Sequence, residues 1–189
     1  MGGSGKISGQ LFLSDWPFAS KNLKPVKQNV ELARKLMREA GYRKGFKLTI
    51  HGPNNRYIRD TAILEYVATA LNNIGIEANA ISLPTREFFT RSMRHHEFSV
   101  SMLGWAPSAS GFYTFNNLFI FPDPAKKSGN ANAGQYHNDE VEKLVLTAKN
   151  SPDKTYRDQL YRRASEVVIN DVAIIHSTFN TRVGVWHQT

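Results

Sequence analysis

Apolar positions recur first with a helical period. In NVELARKLMREAGY, Leu32, Ala33, Leu36, Met37 and Ala40 fall on one face, Asn29 stands at the N-cap position and Gly41 is the stop. The period drops to two in FKLTIHGP, where Phe46, Leu48 and Ile50 alternate as in a strand, and Pro53-Asn54-Asn55 ends it. Helical spacing returns in TAILEYVATALNNIG through Ile63, Leu64, Val67, Leu71 and Ile74, opened by Arg59 or Asp60 and closed by Gly75. IEANAISLP, with Ile76, Ala78, Ala80 and Leu83, reads as a second strand. TREFFTRSMR reads as a shorter helix begun by Pro84-Thr85, and EFSVSMLGW as a third strand. This alternation predicts an α/β layer with parallel neighbours.

The pattern then breaks. Residues 105–138 hold no long period, only a short helix around Tyr113–Phe121 and the Pro-, Gly- and Asn-rich stretch PDPAKKSGNANAGQYHN. Long segments without regular structure are uncommon in compact domains unless they serve function. Two helices follow, DEVEKLVLTAKN and SPDKTYRDQLYRRASEVVINDV, the second opened by Ser151-Pro152-Asp153. AIIHSTF and TRVGVWHQT read as two final strands. Residues 1–6 resemble an expression scar, 7–28 an extended lead-in, and 29–189 a single α/β lobe.

Composition narrows the function classes. Of 189 residues, 41% are hydrophobic and 21% charged, enough for one core and too ordered a balance for wholesale disorder. No apolar run reaches the roughly 18 residues of a membrane span. The chain has no cysteine, which removes thiol catalysis, disulfides and thiolate metal sites. Net charge is +8, which admits nucleic acid, an anionic membrane surface or an acidic ligand as partner. The basic residues are spread from Lys21 to Arg163 without a block of five or six like charges, so they read as solvated helix faces. A basic nucleic-acid-binding domain is the alternative reading.

Catalytic signatures are sparse. None of the six histidines pairs with a glutamate at metalloprotease spacing, and G-x-S-x-G, Walker and G-x-G-x-x-G motifs are absent. Neither metal nor cofactor is expected, and a hydrolase has only the Ser- and His-bearing loops behind it. The loop after the third strand offers other chemistry. Trp105 supplies a flat apolar face with one N–H, and Ser108, Ser110, Tyr113 and Asn116 supply hydrogen bonds without charge. In open α/β sheets, ligands meet the chain at the carboxyl ends of strands. The same residues also suit a packed strand end.

The order of several short stretches resembles the extracellular solute-binding proteins of ABC importers that bind peptides, nickel complexes and related solutes. They are Leu36 to Tyr42, Gly45 to Ile50, Pro53 to Asp60, Ile74-Gly75-Ile76, Gly104-Trp105, Gly134 to Val141 and the closing VAIIHSTFNTRVGV. The resemblance covers residues 16–189. It implies a type II periplasmic-binding-protein-like lobe, with a mixed, mostly parallel sheet of about five strands flanked by helices. It implies that this is the C-terminal lobe, that the missing N-terminal lobe of the same protein completes the site, and that solute is trapped between lobes without chemistry. The implied partners are a small solute and an ABC permease, with no nucleic acid, and the implied location is periplasmic or lipid-anchored outside the cell. Trp105 carries over directly. Peptide-binding members hold an amino terminus with an aspartate three residues after this tryptophan, where this chain has Ser108, and oligopeptide binders have an arginine three before it, where this chain has Met102. Asn54, Arg56 and Tyr57 match the motif before the second helix, and Tyr136 the G-x-Y-x-N motif, as second-tier candidates.

Overall fold

The two periods read from the sequence settle into different packing environments. A computed structural model describes residues 5–108, 110–175 and 178–180, the last three and residues 5–7 by backbone only. The expected strand TRVGVWHQT lies outside the described residues. The chain divides into two compact units. One comprises Lys27–Ala106 and Phe121–Tyr136; the other comprises Met1–Val26, Pro107–Ile120 and His137–Thr189.

The first of these, the sheet unit, is built on β2 (Lys47–Asn54), which pairs in parallel with β3 (Glu77–Pro84) along its whole length and with β4 (Val100–Ser101) at Ile50 and His51. Helix α2 (Asp60–Asn72) covers one face, burying Leu64 and Ala68 against Ile50, with Leu48, Leu71, Ala78, Ala80 and Met102 around them. Burying a Leu- or Ile-sized side chain contributes about 1.5–3 kcal/mol, so this small cluster is the unit's main apolar anchor. Helix α3 (Thr85–Phe89) runs on into a π-helical turn, Thr90–Arg94, and sends Phe88 into the interior.

Helix α1 (Val30–Glu39) forms where its period predicts. The Asn29 side chain accepts from the Leu32 N–H at 2.9 Å, the expected N-cap. Its apolar face is not core, however. No α1 residue is buried, and Leu32 and Leu36 are 48% and 54% exposed. The helix is tied to the end of α2 by the Arg34 guanidinium, which donates to the Asn73 carbonyl at 2.6 and 3.1 Å.

The second unit is helical. Helix α5 (Asp139–Asn150) packs on α6 (Lys154–Asn170), and Val141, Val145 and Ala148 of the first and Ala164 and Val168 of the second are buried. Helix α4 (Gly111–Leu118) brings Phe115 against Phe12 and parallel to Tyr161, at 5.7 and 5.8 Å between ring centres. Asp153 is the N-cap of α6, accepting from Thr155 and Tyr156, so Pro152 stands before the cap rather than in the first turn. Gln10 and Ser20 exchange two hydrogen bonds, 2.8 and 3.1 Å, which closes the lead-in segment on itself.

The sheet corrects one expectation. Five strands are described, but only three share the parallel sheet, in the order β3-β2-β4. The other two, β1 (Gly5–Ile7) and β5 (Thr178–Asn180), form a separate antiparallel pair. The third strand is also shorter than EFSVSMLGW. Phe98 stacks on His51 and Phe88 outside the ladder, and paired residues are limited to Val100 and Ser101, with one further bond from the Met102 N–H to the His51 carbonyl at 2.8 Å, before the chain turns at Gly104.

Candidate functional site

The turn between β2 and α2 is organised by a carboxylate. Asp60 is 6% exposed, and its Oδ2 accepts the backbone N–H groups of Arg56 and Tyr57 at 2.8 and 3.1 Å while Oδ1 accepts that of Thr61 at 2.9 Å. Burial pushes this carboxyl up. The backbone donors of Tyr57, Arg56, Thr61 and Asn55 outweigh that and hold it below its ordinary value. The residues before the helix enter the left-handed region at Asn55 and Arg59, φ 56° and 57°. Asparagine adopts that conformation readily, whereas arginine does so at a cost that the Asp60 bonds offset.

Tyr57 is thereby aimed at the turn after β4. A Cβ added at Gly104 would lie 2.5–2.9 Å from Tyr57 ring atoms, so only glycine fits under the phenol. The Tyr57 hydroxyl donates to the Gly104 carbonyl in a long, weak bond of 3.4 Å. The Arg56 guanidinium lies 5.7 Å from the centre of the same ring. Trp105 follows directly and is half-buried. Asn54 uses its carbonyl to accept the Thr85 hydroxyl at 3.0 Å. Tyr136 is held through its backbone, which exchanges bonds of 2.8 and 2.9 Å with the Asn132 side chain.

The structure thus joins Arg56, Tyr57, Gly104 and Trp105 in one unit. Ser108, Ser110, Tyr113 and Asn116 belong to the helical unit. The Ser108 hydroxyl closes its own turn, donating to the Ser110 carbonyl at 3.1 Å and accepting the Ser110 N–H at 3.2 Å. Ser110 occupies the N-cap position of α4 without a side-chain capping bond. Tyr113 is 50% exposed and Asn116 half-buried. Asp60 was absent from the candidate residues although it ends the P-N-x-R-Y-x-x-D stretch. Its signal was a carboxylate at the first turn of a predicted helix, which reads as an ordinary helix start.

One cluster was not anticipated. At the start of α5, His137 Nε2 lies 3.3 Å from an Asp139 oxygen and 3.8 Å from a Glu142 oxygen, the single such grouping of metal-ligand type among the described residues. All three side chains meet solvent, and with a protonated imidazole the group is an ion-pair cluster at a helix N-terminus.

The parallel sheet, the covering helices and the tryptophan turn define a periplasmic-binding-protein type of fold. A periplasmic binding protein associated with an ABC transporter of Helicobacter pylori, solved in complex with the peptide STSA, shares that fold with a TM-score of 0.82 at 23% identity, over 93% of this chain and 34% of that one. The chain belongs to the bacterial extracellular solute-binding proteins, family 5, whose sequence model matches residues 1–127. That family is defined by solute binding and not by a reaction. A probable D,D-dipeptide-binding periplasmic protein of Escherichia coli (strain K12) is 29% identical over 108 residues, 57% of this chain and 20% of that protein. A probable deoxycholate-binding periplasmic protein of the same organism is 28% identical over 157 residues, 79% of this chain and 27% of that protein. The chain therefore spans between a fifth and about a third of the length of these relatives.

Proposed function

We propose that this chain is the C-terminal lobe segment of the substrate-binding component of an ABC transporter, capturing a peptide or related small solute outside the cytoplasmic membrane. The family match over residues 1–127 carries this reading. The relatives named above are periplasmic binders of small solutes, and the location and role proposed here follow theirs. The solute is enclosed with help from polypeptide that the longer relatives carry beyond this stretch, and the loaded protein docks on a membrane permease. The protein binds its cargo and does not transform it.

Trp105 is the proposed stacking surface for the solute. A half-buried Trp105, next to a turn that Tyr57 braces at Gly104, supports that role, because a preorganised turn loses little freedom on binding. Ser108, Ser110, Tyr113 and Asn116 are proposed to set specificity. With serine at 108, no carboxylate stands three residues after the tryptophan, and a solute ammonium gains no charge-assisted bond there. The test is calorimetric titration of peptides, bile acids and metal chelates into the chain extended to the length of its relatives. Trp105→Ala is expected to cost at least about 2 kcal/mol for the true solute, as a buried aromatic anchor does, and a loss under about 0.5 kcal/mol overturns the assignment.

A further inference from the structure

The helical unit carries an open cavity of about 460 Å³ in which Trp105 takes no part. That volume falls in the range of small-molecule sites. Its walls come from three separated stretches, the lead-in segment, the start of α4 and the first turns of α6.

One wall is aromatic. Trp16 meets Phe18 edge-on at 5.5 Å, and Phe18 meets Tyr161 edge-on at 6.1 Å. Tyr161 is 4% exposed, with its ring parallel to Phe115. Its hydroxyl makes no hydrogen bond among the described residues. Burial pushes this phenol up, and the nearby Arg157 and Asp158 act on it in opposite directions. Tyr161 lines the cavity together with Arg157 and Asp158.

The other wall is polar, with a positive excess. Lys154 and Asp158 pair at 2.8 Å and cancel. Arg157 donates one N–H, from Nη1, to the Ser151 carbonyl at 3.0 Å, and its remaining donors make no bond among the described residues. Helix α4 begins at the same place. A Cβ on Gly111 would lie 2.7 Å from a Tyr161 ring carbon, so glycine lets the first turn lie against the phenol. The Ser110 side chain accepts no bond from the first N–H groups of α4, of which that of Tyr113 donates to the Ser110 carbonyl at 3.2 Å, and this end carries the positive pole of the helix dipole.

We propose that this cavity is a second binding site, for a small aromatic carboxylate: the ring lies against Trp16 and Phe18, and the carboxylate accepts from Arg157, the Tyr161 hydroxyl and the first turn of α4. A monoanion matches the single uncompensated cation. A phosphate dianion meets Asp158 in the rim and is disfavoured. This site goes beyond the solute reading above and does not depend on it.

The experiment titrates the 189-residue chain with benzoate and indole-3-acetate, and with benzamide and inorganic phosphate as controls, by ligand-observed NMR and calorimetry. The carboxylates are expected to saturate, with benzamide at least about tenfold weaker, since it lacks the charge-assisted bond. Arg157→Gln is expected to weaken the carboxylates at least about tenfold, and Tyr161→Phe, which keeps the ring packing, about threefold to tenfold. Trp105→Ala is expected to leave them unchanged. No saturable binding up to about 10 mM, a negligible affinity, overturns the proposal. So does benzamide binding equal to benzoate. Loss of binding in Trp105→Ala with retention in Arg157→Gln also overturns it, and leaves the solute reading standing.

Discussion

Replacing Asp60 by alanine tests whether the turn before α2 is held by one carboxylate. The side chain accepts three backbone N–H groups, at 2.8, 2.9 and 3.1 Å, from a nearly fully buried position. A hydrogen bond to a charged group contributes about 1.5–3 kcal/mol, but exposed Arg56 lets water replace its share. Counting the remaining two with partial relaxation gives a loss of about 2–4 kcal/mol. For a chain of this length that is a fall in Tm of about 4–15 °C at pH 7. Circular dichroism of wild type, Asp60→Ala and Asp60→Asn across pH measures it. Asparagine keeps an acceptor and loses the charge, so it is expected to fall between the other two. The sign with pH follows from the direction of the shift. The folded-state carboxyl titrates below the ordinary value of 3.8, so its stabilisation is fully present above that value and disappears as pH falls through the folded-state value. The gap between wild type and Asp60→Ala is therefore expected to close in strong acid. A Tm difference under about 2 °C at pH 7, equivalent to about 0.5 kcal/mol, or a gap that persists unchanged in acid, refutes the reasoning.

Gly104→Ala drives a methyl to within 2.5 Å of the Tyr57 ring and is expected to cost about 1–3 kcal/mol; Tyr57→Ala in the same chain restores most of it, and a double-mutant cycle with no coupling rejects the contact. His51 stacks on Phe98 at 3.9 Å with its Nδ1 buried and unbonded, and burial, followed by Arg91, holds its pKa below 6.5 against an upward pull from Glu97. Its neutral form therefore stabilises the fold above pH 6.5 and that contribution is lost as pH falls from there through the folded-state value, so His51→Phe is expected to flatten Tm against pH in this window; parallel curves for the two proteins contradict it. Ser108→Asp keeps an acceptor for the Ser110 N–H and is expected to leave stability within about 0.5 kcal/mol. In the full-length protein it is also expected to raise affinity for solutes with a free ammonium at least about tenfold, and unchanged selectivity in calorimetry counts against residue 108 as a specificity position.

The local periods were legible because they report local chemistry. Asn29 caps its helix where side-chain type and spacing say it should, whereas the cap of α6 falls on Asp153, after Pro152 and not before it. What lies across from a face is not in the period. Leu32 and Leu36 have the spacing of a core face and stand largely exposed, because amphipathic spacing names a side and not a partner. The three strands of the parallel sheet were legible and the outlying pair was not: β1 falls in residues read as a scar and lead-in, and β5 pairs with it from about 170 residues away, which nothing in either short stretch encodes. The shortening of β4 has a similar cause. Phe98 alternates correctly for a strand, but its ring finds His51 and Phe88 first. At the candidate site, Trp105 announces itself as an aromatic in an uncharged turn, whereas its bracing by Tyr57 joins residues 47 apart and has no sequence signature.

The bracing of that turn is addressed to backbone. Asp60 accepts only main-chain N–H groups, and the Tyr57 hydroxyl gives to a main-chain carbonyl. The one side-chain requirement is the missing Cβ at Gly104. None of these contacts reads the identity of residues 106–116. They therefore put no constraint on Ser108 and Ser110, which close their own turn, whereas Gly111 and Phe115 are fixed by packing against Tyr161. A scaffold of this kind fixes the backbone of the tryptophan turn without drawing on the Ser108 and Ser110 side chains, so replacing either is expected to leave that turn in place.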